Sequence, residues 1–246
     1  MAIICVDVGN TFAKVALMEH STVRSLAVIP VDDTVAVANQ IRALPRAEGA
    51  IVSSVSTLAT EVTEWLSEKT TFCMELSERT ALPVRNLYRT PETLGKDRLA
   101  AVVGAYALFP KKNVLVMDTG TALTFDFLDS DGNYLGGNIS PGLQMRFRAL
   151  HEQTKKLPLL KYSSELSLNT IGNDTTTAIT AGVQNGIIFE VQYYVKYFRQ
   201  NNPEGVVVMT GGDINFFADN LKSIIFAEPN LVHIGLEQVA LFNLFK

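Results

Sequence analysis

Ile3-Ile4-Cys5-Val6-Asp7-Val8-Gly9-Asn10-Thr11-Phe12-Ala13-Lys14-Val15 is the stretch on which the fold turns. An apolar run enters an Asp, a Gly and a hydroxyl residue, and a second run through Val15, Ala16 and Leu17 leaves them, so two strands joined by a tight turn are predicted. A near copy recurs at Asp118-Thr119-Gly120-Thr121-Ala122, with Val114 to Met117 leading in and Leu123 to Phe127 leading out. Asp7 and Asp118 stand 111 residues apart, close to half of the 246. The chain therefore predicts a duplicated fold whose two hairpin turns serve one nucleotide site. Glycine lets the backbone approach an anion, N–H groups and a Thr hydroxyl donate to it, and an Asp can hold a cation that offsets phosphate charge. Taken singly, each stretch is equally well an ordinary β-hairpin of turn residues; the duplication favours the phosphate reading.

Outward from the first turn, a third extended segment is expected around Ser25 to Val31 and a helix near Thr34 to Ala43. A buried strand follows at Ala50 to Val55, ending among Ser53, Ser54 and Ser56, and then a helix at Leu58 to Lys69 around Trp65. A loop from Glu75 to Thr93 precedes a helix with the stripe Leu99, Val102, Val103, Tyr106 and Ala107, which stops at Pro110. The second half restarts with strands at Val114 to Asp118, Leu123 to Leu128 and Tyr134 to Ile139, the last two joined by a Ser130-Asp131-Gly132-Asn133 turn. A long helix from Thr177 to Asn201 carries Ile179, Val183, Ile187, Val191, Tyr194 and Phe198 on one face, with Gly182 and Gly186 allowing close approach of another element. That face suits either an interface or the internal core. Val206 to Met209, Gly211-Gly212-Asp213 and a helix around Asn215 to Leu221 then make a second wall for a nucleotide, or an ordinary βα connection.

Composition narrows the class. Hydrophobic residues make up 47% and charged residues 19%, and the formal charge of −4 argues against nucleic acid or an anionic membrane as the main partner. No apolar stretch approaches the roughly 20 residues that span a bilayer. Cys5 and Cys73 are the two cysteines, and a cytoplasmic protein with reduced thiols is expected. The chain holds no GxxxxGK[ST] loop, no GxGxxG after a strand and no GxSxG elbow, so other phosphate-binding architectures come forward. His20, His151 and His233 are isolated from one another, which disfavours a zinc site.

Four motifs in order, DVGNT at Asp7 to Thr11, GKDR at Gly95 to Arg98, DTGTA at Asp118 to Ala122 and GGNISPG at Gly136 to Gly142, together resemble those of the type III pantothenate kinases. That family lies in the actin-like, sugar-kinase-like ATPase superfamily. The resemblance implies an α/β chain with a duplicated ribonuclease H-like fold: two packed subdomains, 1–110 and 111–246, with mixed sheets flanked by helices. It implies transfer of the γ-phosphate of ATP to the terminal hydroxyl of pantothenate, the first step of coenzyme A synthesis.

Phosphoryl transfer needs phosphate, metal and acceptor oxygen in line, with a carboxylate near the acceptor hydroxyl. Asp97, at a helix N-terminus that favours its ionised form, is the expected catalytic base. Arg98 offers a fork of donors suited to the carboxylate of pantothenate. A helix N-cap for Asp97 and a solvated ion pair for Arg98 are the structural alternatives. By resemblance, Asp7, Val8, Gly9, Asn10, Thr11, Phe12, Ala13 and Lys14 form the ATP segment and Thr121 is a second ATP contact. Tyr88, Gly95, Lys96, Asp97, Arg98 and Thr175 bind substrate, although Thr175 to Thr177 run together and a one-residue shift changes the choice. Asp118 matches a monovalent-cation site for potassium or ammonium, and Asp7 faces the magnesium that accompanies ATP, directly or through water. A homodimer with the substrate pocket at or near its interface is implied as well. Another small-molecule kinase or phosphatase on the same fold, or a non-catalytic regulatory relative, remains the alternative.

Overall fold

The computed structural model describes residues 1–54, 58–162, 171–221 and 225–246. Its first half runs β1 (Ala2–Val8), β2 (Phe12–Glu19), β3 (Thr22–Pro30), α1 (Thr34–Ala43), β4 (Ala47–Ser54), α2 (Ala59–Ser67), β5 (Thr70–Glu75), the two-residue β6 (Arg85–Asn86), a 3-10 turn at Pro91–Thr93 and α3 (Lys96–Leu108). The second half runs β7 (Val114–Thr119), β8 (Ala122–Leu128), β9 (Asn133–Pro141), α4 (Leu143–Glu152), α5 (Thr175–Asn201), β10 (Val206–Thr210), α6 (Ile214–Asn220), β11 (Phe226–Ala227) and α7 (Leu231–Leu244).

The first sheet is ordered β3-β2-β1-β4-β5 and the second β11-β10-β7-β8-β9-β6. Apart from β6, the second order read from β9 is the first order over again. β4 runs parallel to β1 and β5 to β4, just as β10 runs parallel to β7 and β11 to β10. The duplication expected from two turns thus extends to whole sheets. Two compact units contain these elements. One comprises Met1–Lys111, Leu128–Gly136 and Asn230–Lys246; the other comprises Lys112–Phe127 and Gly137–Pro229.

In the first unit, alternation along β1 sends Ile4, Val6 and Val8 into a core with Val37 and Ile41 of α1 and Val62 and Leu66 of α2. Ile3, Cys5 and Asp7 therefore face the other side, where α7 packs on β1, β2 and β4 and also against α3. α1 starts where Asp33 accepts a hydrogen bond from the Ala36 amide at 3.0 Å, an N-cap immediately before the expected start of the helix at Thr34.

In the second unit, Leu115, Met117, Leu123 and Phe125 pack with Phe147 of α4, Ile179, Val183, Ile187, Val191 and Phe198 of α5, and Phe216 and Phe217 of α6. The apolar stripe of the long helix is therefore internal core. A different stripe of α5 is open. An added Cβ at Gly182 or Gly186 would meet nothing within 4 Å, and Phe189 and Tyr193, further along, are 62% and 64% exposed.

Several expectations need adjustment. β5 lies where no strand was expected, because its half-exposed Thr-Thr-Phe-Cys-Met-Glu reads weakly as a strand and is completed only by pairing with β4. The expected loop after Glu75 contains β6, which pairs with Asn133 and Tyr134 of β9. α7 was not anticipated, since Leu231 to Glu237 are all buried and no polar face marks its period. α5 begins at Thr175, two residues before the expected start. Val55 and Ser56, expected at the end of a buried strand, lie outside the described residues.

Candidate active site

In the first unit the Gly9 amide donates to the Phe12 carbonyl at 3.0 Å, closing the hairpin, while the Val31 amide ties Thr11 O to the end of β3. Asn10, Thr11 and Phe12 are exposed, and Val8 and Ala13 are buried beneath them. Asp7 sits opposite Lys14 of β2 and beside Ser53 of β4. Burial, and then the negative charge of Asp97, push the Asp7 carboxyl up from its ordinary 3.8 to about 6, against the opposing pull of Lys14 and a hydrogen bond from Ser53. Two carboxylates from different elements are thus electrostatically coupled. Ser53 is 2% exposed, and its sequence signal is a hydroxyl at the end of a buried strand.

Asp97 is the second residue of α3, with Gly95 in the capping position, so it is not itself an N-cap. Its Oδ1 accepts from the Arg98 amide at 2.8 Å. A Cβ on residue 95 would stand 2.6 Å from that same oxygen, so the glycine is what lets the carboxylate fold back over the loop. Arg98 is 4% exposed, with its guanidinium carbon 5.7 Å from the Tyr88 ring centre, so it is not a solvated surface group. Tyr88 in turn stacks on the fully buried Tyr134, ring centres 6.1 Å apart. Lys96 pairs with Glu75 at 3.2 Å. Asp7, Lys14, Ser53 and Asp97 meet in one place, and Tyr88 and Arg98 in another stretch of the same unit.

In the second unit the turn is tighter. The Gly120 amide donates to Ala122 O at 3.1 Å, so one fewer residue lies between the partners than in the first turn. Thr11 and Thr121 are accordingly not equivalent positions, in keeping with their fifth and fourth places in DVGNT and DTGTA. Gly211, at φ +101°, presses on Asp118 and Thr119: a Cβ there would be 2.5 Å from Asp118 Oδ1 and 2.6 Å from Thr119 N. The Asp213 amide donates to Thr119 O at 3.0 Å and the Thr119 hydroxyl to Thr210 O at 2.8 Å. Asp213, half-buried, has its carboxyl raised by burial. On the other side Gly142 packs against the turn, with its amide 3.2 Å from Thr121 O and no room for a Cβ, which would lie 2.4 Å from Gly120 O and Thr121 O. The GGNISPG stretch is therefore mostly strand β9, ending in the glycine that abuts this turn.

At the start of α5, the Thr177 hydroxyl accepts from the Asn173 and Asp174 amides at 3.1 and 3.2 Å while its own amide donates to Asp174 Oδ1 at 2.8 Å. Thr177 is thus committed to the capping box. Thr175 and Thr176 are exposed.

The Asp7 environment yields a pH prediction. A carboxyl raised to about 6 when folded favours the protonated native state: the stability is fully present below about 4 and is lost as pH rises through about 6. The change from 3.8 to about 6 corresponds to at most roughly 3 kcal/mol. Asp7→Asn should therefore melt level with the wild type at about pH 4 and above it at pH 8, with no ligand added. Equal differences at both pH values in thermal unfolding would exclude this origin.

Among known proteins, residues 3–197 match the family model described as type III pantothenate kinase. A type III pantothenate kinase of Bacteroides fragilis (strain YCH46) is 44% identical over 241 residues, covering 97% of each chain. That of Phocaeicola vulgatus is 42% identical over 246 residues, again 97% of each. Solved structures share the fold at low identity. A Campylobacter jejuni protein described as a Baf family transcriptional activator superposes with a TM-score of 0.65 at 19% identity, covering 99% of this chain and 100% of that one. The activator of 2-hydroxyisocaproyl-CoA dehydratase from Clostridium difficile, with bound ADPNP, gives 0.53 at 14% identity, covering 98% and 94%.

Proposed function

This chain belongs to the type III pantothenate kinase family and is an ATP-dependent pantothenate kinase; on that premise we propose how its residues divide the reaction. Asp97 accepts the proton of the pantothenate terminal hydroxyl as that oxygen attacks the γ-phosphorus and the bond to the ADP oxygen breaks. The observation that carries this role is the Asp97 carboxylate folded over Gly95 in the first turn of α3, close enough to Asp7 to raise its pKa. Residues Asp7 to Lys14 bind ATP, and Thr121, backed by Gly142 and Gly211, is a second ATP contact. Tyr88, Gly95, Lys96 and Arg98 bind pantothenate, and Thr175 joins them, a choice supported by the diversion of Thr177 into the helix cap. The two ribonuclease H-like repeats divide at residues 1–110 and 111–246.

Magnesium bound with ATP neutralises phosphate charge. The Asp7 and Asp97 carboxylates repel one another, so a divalent cation at Asp7 relieves a tension that this chain already carries. Asp118 and the carbonyls of its turn offer oxygen donors of the kind a potassium or ammonium ion takes, and we assign them that role. The open stripe of Gly182, Gly186, Phe189, Tyr193 and Tyr197 on α5 supports a homodimer, with the pantothenate pocket at or near its interface. Sedimentation velocity reads that stoichiometry. Cys5 and Cys73 are both free thiols, in keeping with a cytoplasmic protein, and no described helix is long and apolar enough to cross a membrane.

ADP formation measured with and without pantothenate, magnesium and potassium tests the whole. Turnover is expected only when all are present, with ammonium able to replace potassium. ATP use independent of pantothenate would overturn the substrate assignment, whereas full activity in sodium alone would overturn only the cation role of Asp118.

A further inference from the structure

Beyond the motifs, one polar cluster in the second unit has no part in the reaction as described. Arg146 of α4 reaches back over the end of β9. Its Nε donates to the Pro141 carbonyl at 2.8 Å, and its Nη2 donates both to the Ser140 hydroxyl at 2.7 Å and to Glu190 Oε2. Ser140 Oγ donates to the same Glu190 oxygen at 3.1 Å, closing a triangle of three side chains from β9, α4 and α5. The Arg146 and Glu190 side chains are only 21% and 25% exposed. A partly desolvated, charge-assisted network of this kind is stiffer than an exposed surface pair.

What the triangle grips matters. Ser140 and Pro141 immediately precede Gly142, which abuts Gly120 and Thr121 so closely that even a methyl group is excluded. Ser140-Pro141-Gly142 is therefore a wedge, with the second phosphate turn against one end and Arg146 and Glu190 holding the other. No slack exists at the Gly142 end to absorb a shift of the wedge, because that contact is backbone on backbone. We infer that Arg146 and Glu190 are positioning residues for the Thr121 turn: they set where its phosphate-facing groups stand, without touching the nucleotide themselves.

The inference rests on the reading that this turn contacts ATP, and it has a consequence that plain structural support does not. Loosening the wedge weakens the ATP grip while leaving Tyr88, Gly95, Lys96 and Arg98, which lie in the other unit, unaffected, and Thr175 stands about four turns of α5 from Glu190. Glu190→Gln in the full chain is expected to raise KM for ATP about five- to tenfold, with KM for pantothenate changed less than twofold. Arg146→Lys, which keeps the positive charge but loses the Nε donor to Pro141, should show the same split, and stands in if the first variant fails to fold. Thermal unfolding of each variant is measured alongside. Unchanged KM for ATP in a folded variant, a parallel rise of both KM values, or a loss of activity matched by the fraction unfolded would each overturn the positioning role. Failure of the wild-type chain to bind ATP would instead overturn the underlying reading of the turn, so the two failures are distinguishable.

Discussion

Asp97→Asn is expected to lower kcat by about 10²- to 10⁴-fold, the range that a positioned general base contributes, while ATP still binds. The substitution conserves shape. An amide oxygen at the same place can still accept from the Arg98 amide, now held at 2.8 Å, so the first turn of α3 and the glycine loop before it have no reason to rearrange. What is lost is the oxygen that takes the hydroxyl proton. The coupling of the two carboxylates supplies a second readout: with the Asp97 charge gone, one cause of the raised Asp7 pKa disappears, and the Asp7 titration should move down from about 6. Steady-state kinetics with calorimetric ATP binding test the first part, and the pH dependence of thermal unfolding tests the second. Near-normal kcat would remove Asp97 from the role of base, and an unmoved Asp7 titration would show that the two carboxylates are not coupled.

Gly235→Ala is the substitution expected to damage the fold most. α3 and α7 cross backbone to backbone at glycines: a Cβ on residue 235 would stand 1.7 Å from Ala100 O and 2.9 Å from Gly104 N, and one on residue 104 would stand 2.3 Å from Leu231 O. No rotamer relieves an overlap with main-chain atoms, so the helices must separate. Overpacking normally costs about 1–3 kcal/mol, and this crossing should reach or exceed the top of that range. For a chain of this size each kcal/mol lowers the melting temperature by roughly 2–4 °C, so a fall of about 6 °C or more is expected. The effect carries to catalysis because Asp97 rides on the first turn of α3. Turnover should fall even at temperatures where circular dichroism reports a folded chain. A melting temperature within about 2 °C of wild type would show that the crossing relaxes more easily than its geometry implies.

Much of the site was legible in the linear chain because its parts are local. A turn with Asp, Gly and a hydroxyl announces itself through composition and the strands on either side, and α1 carries its own cap at Asp33. Other parts were not legible. The two turns read as copies, yet Gly9 closes on Phe12 and Gly120 on Ala122, a difference that arises from backbone hydrogen bonding. Thr177 looked interchangeable with Thr175 until its hydroxyl proved to be spent on the helix cap. α7 escaped notice because a helix buried on every side has no amphipathic period to read, and β5 because its strand character comes from pairing with β4.

The sequence by itself determined the class of chemistry: paired phosphate turns, a carboxylate in a glycine-preceded loop, and a family resemblance that names the acceptor. Tertiary structure alone decided which of those groups interact. Asp7 and Asp97 are 90 positions apart in the chain, and only tertiary folding brings their charges within reach of each other. Likewise the second turn is shaped from outside itself, by Gly142 on one side and Gly211 on the other, and these contacts come from packing between segments distant in sequence. The physical reason is range: backbone propensity and turn chemistry act over a few residues, whereas burial, Coulomb coupling and exclusion of a methyl group depend on what the rest of the chain places within a few ångströms.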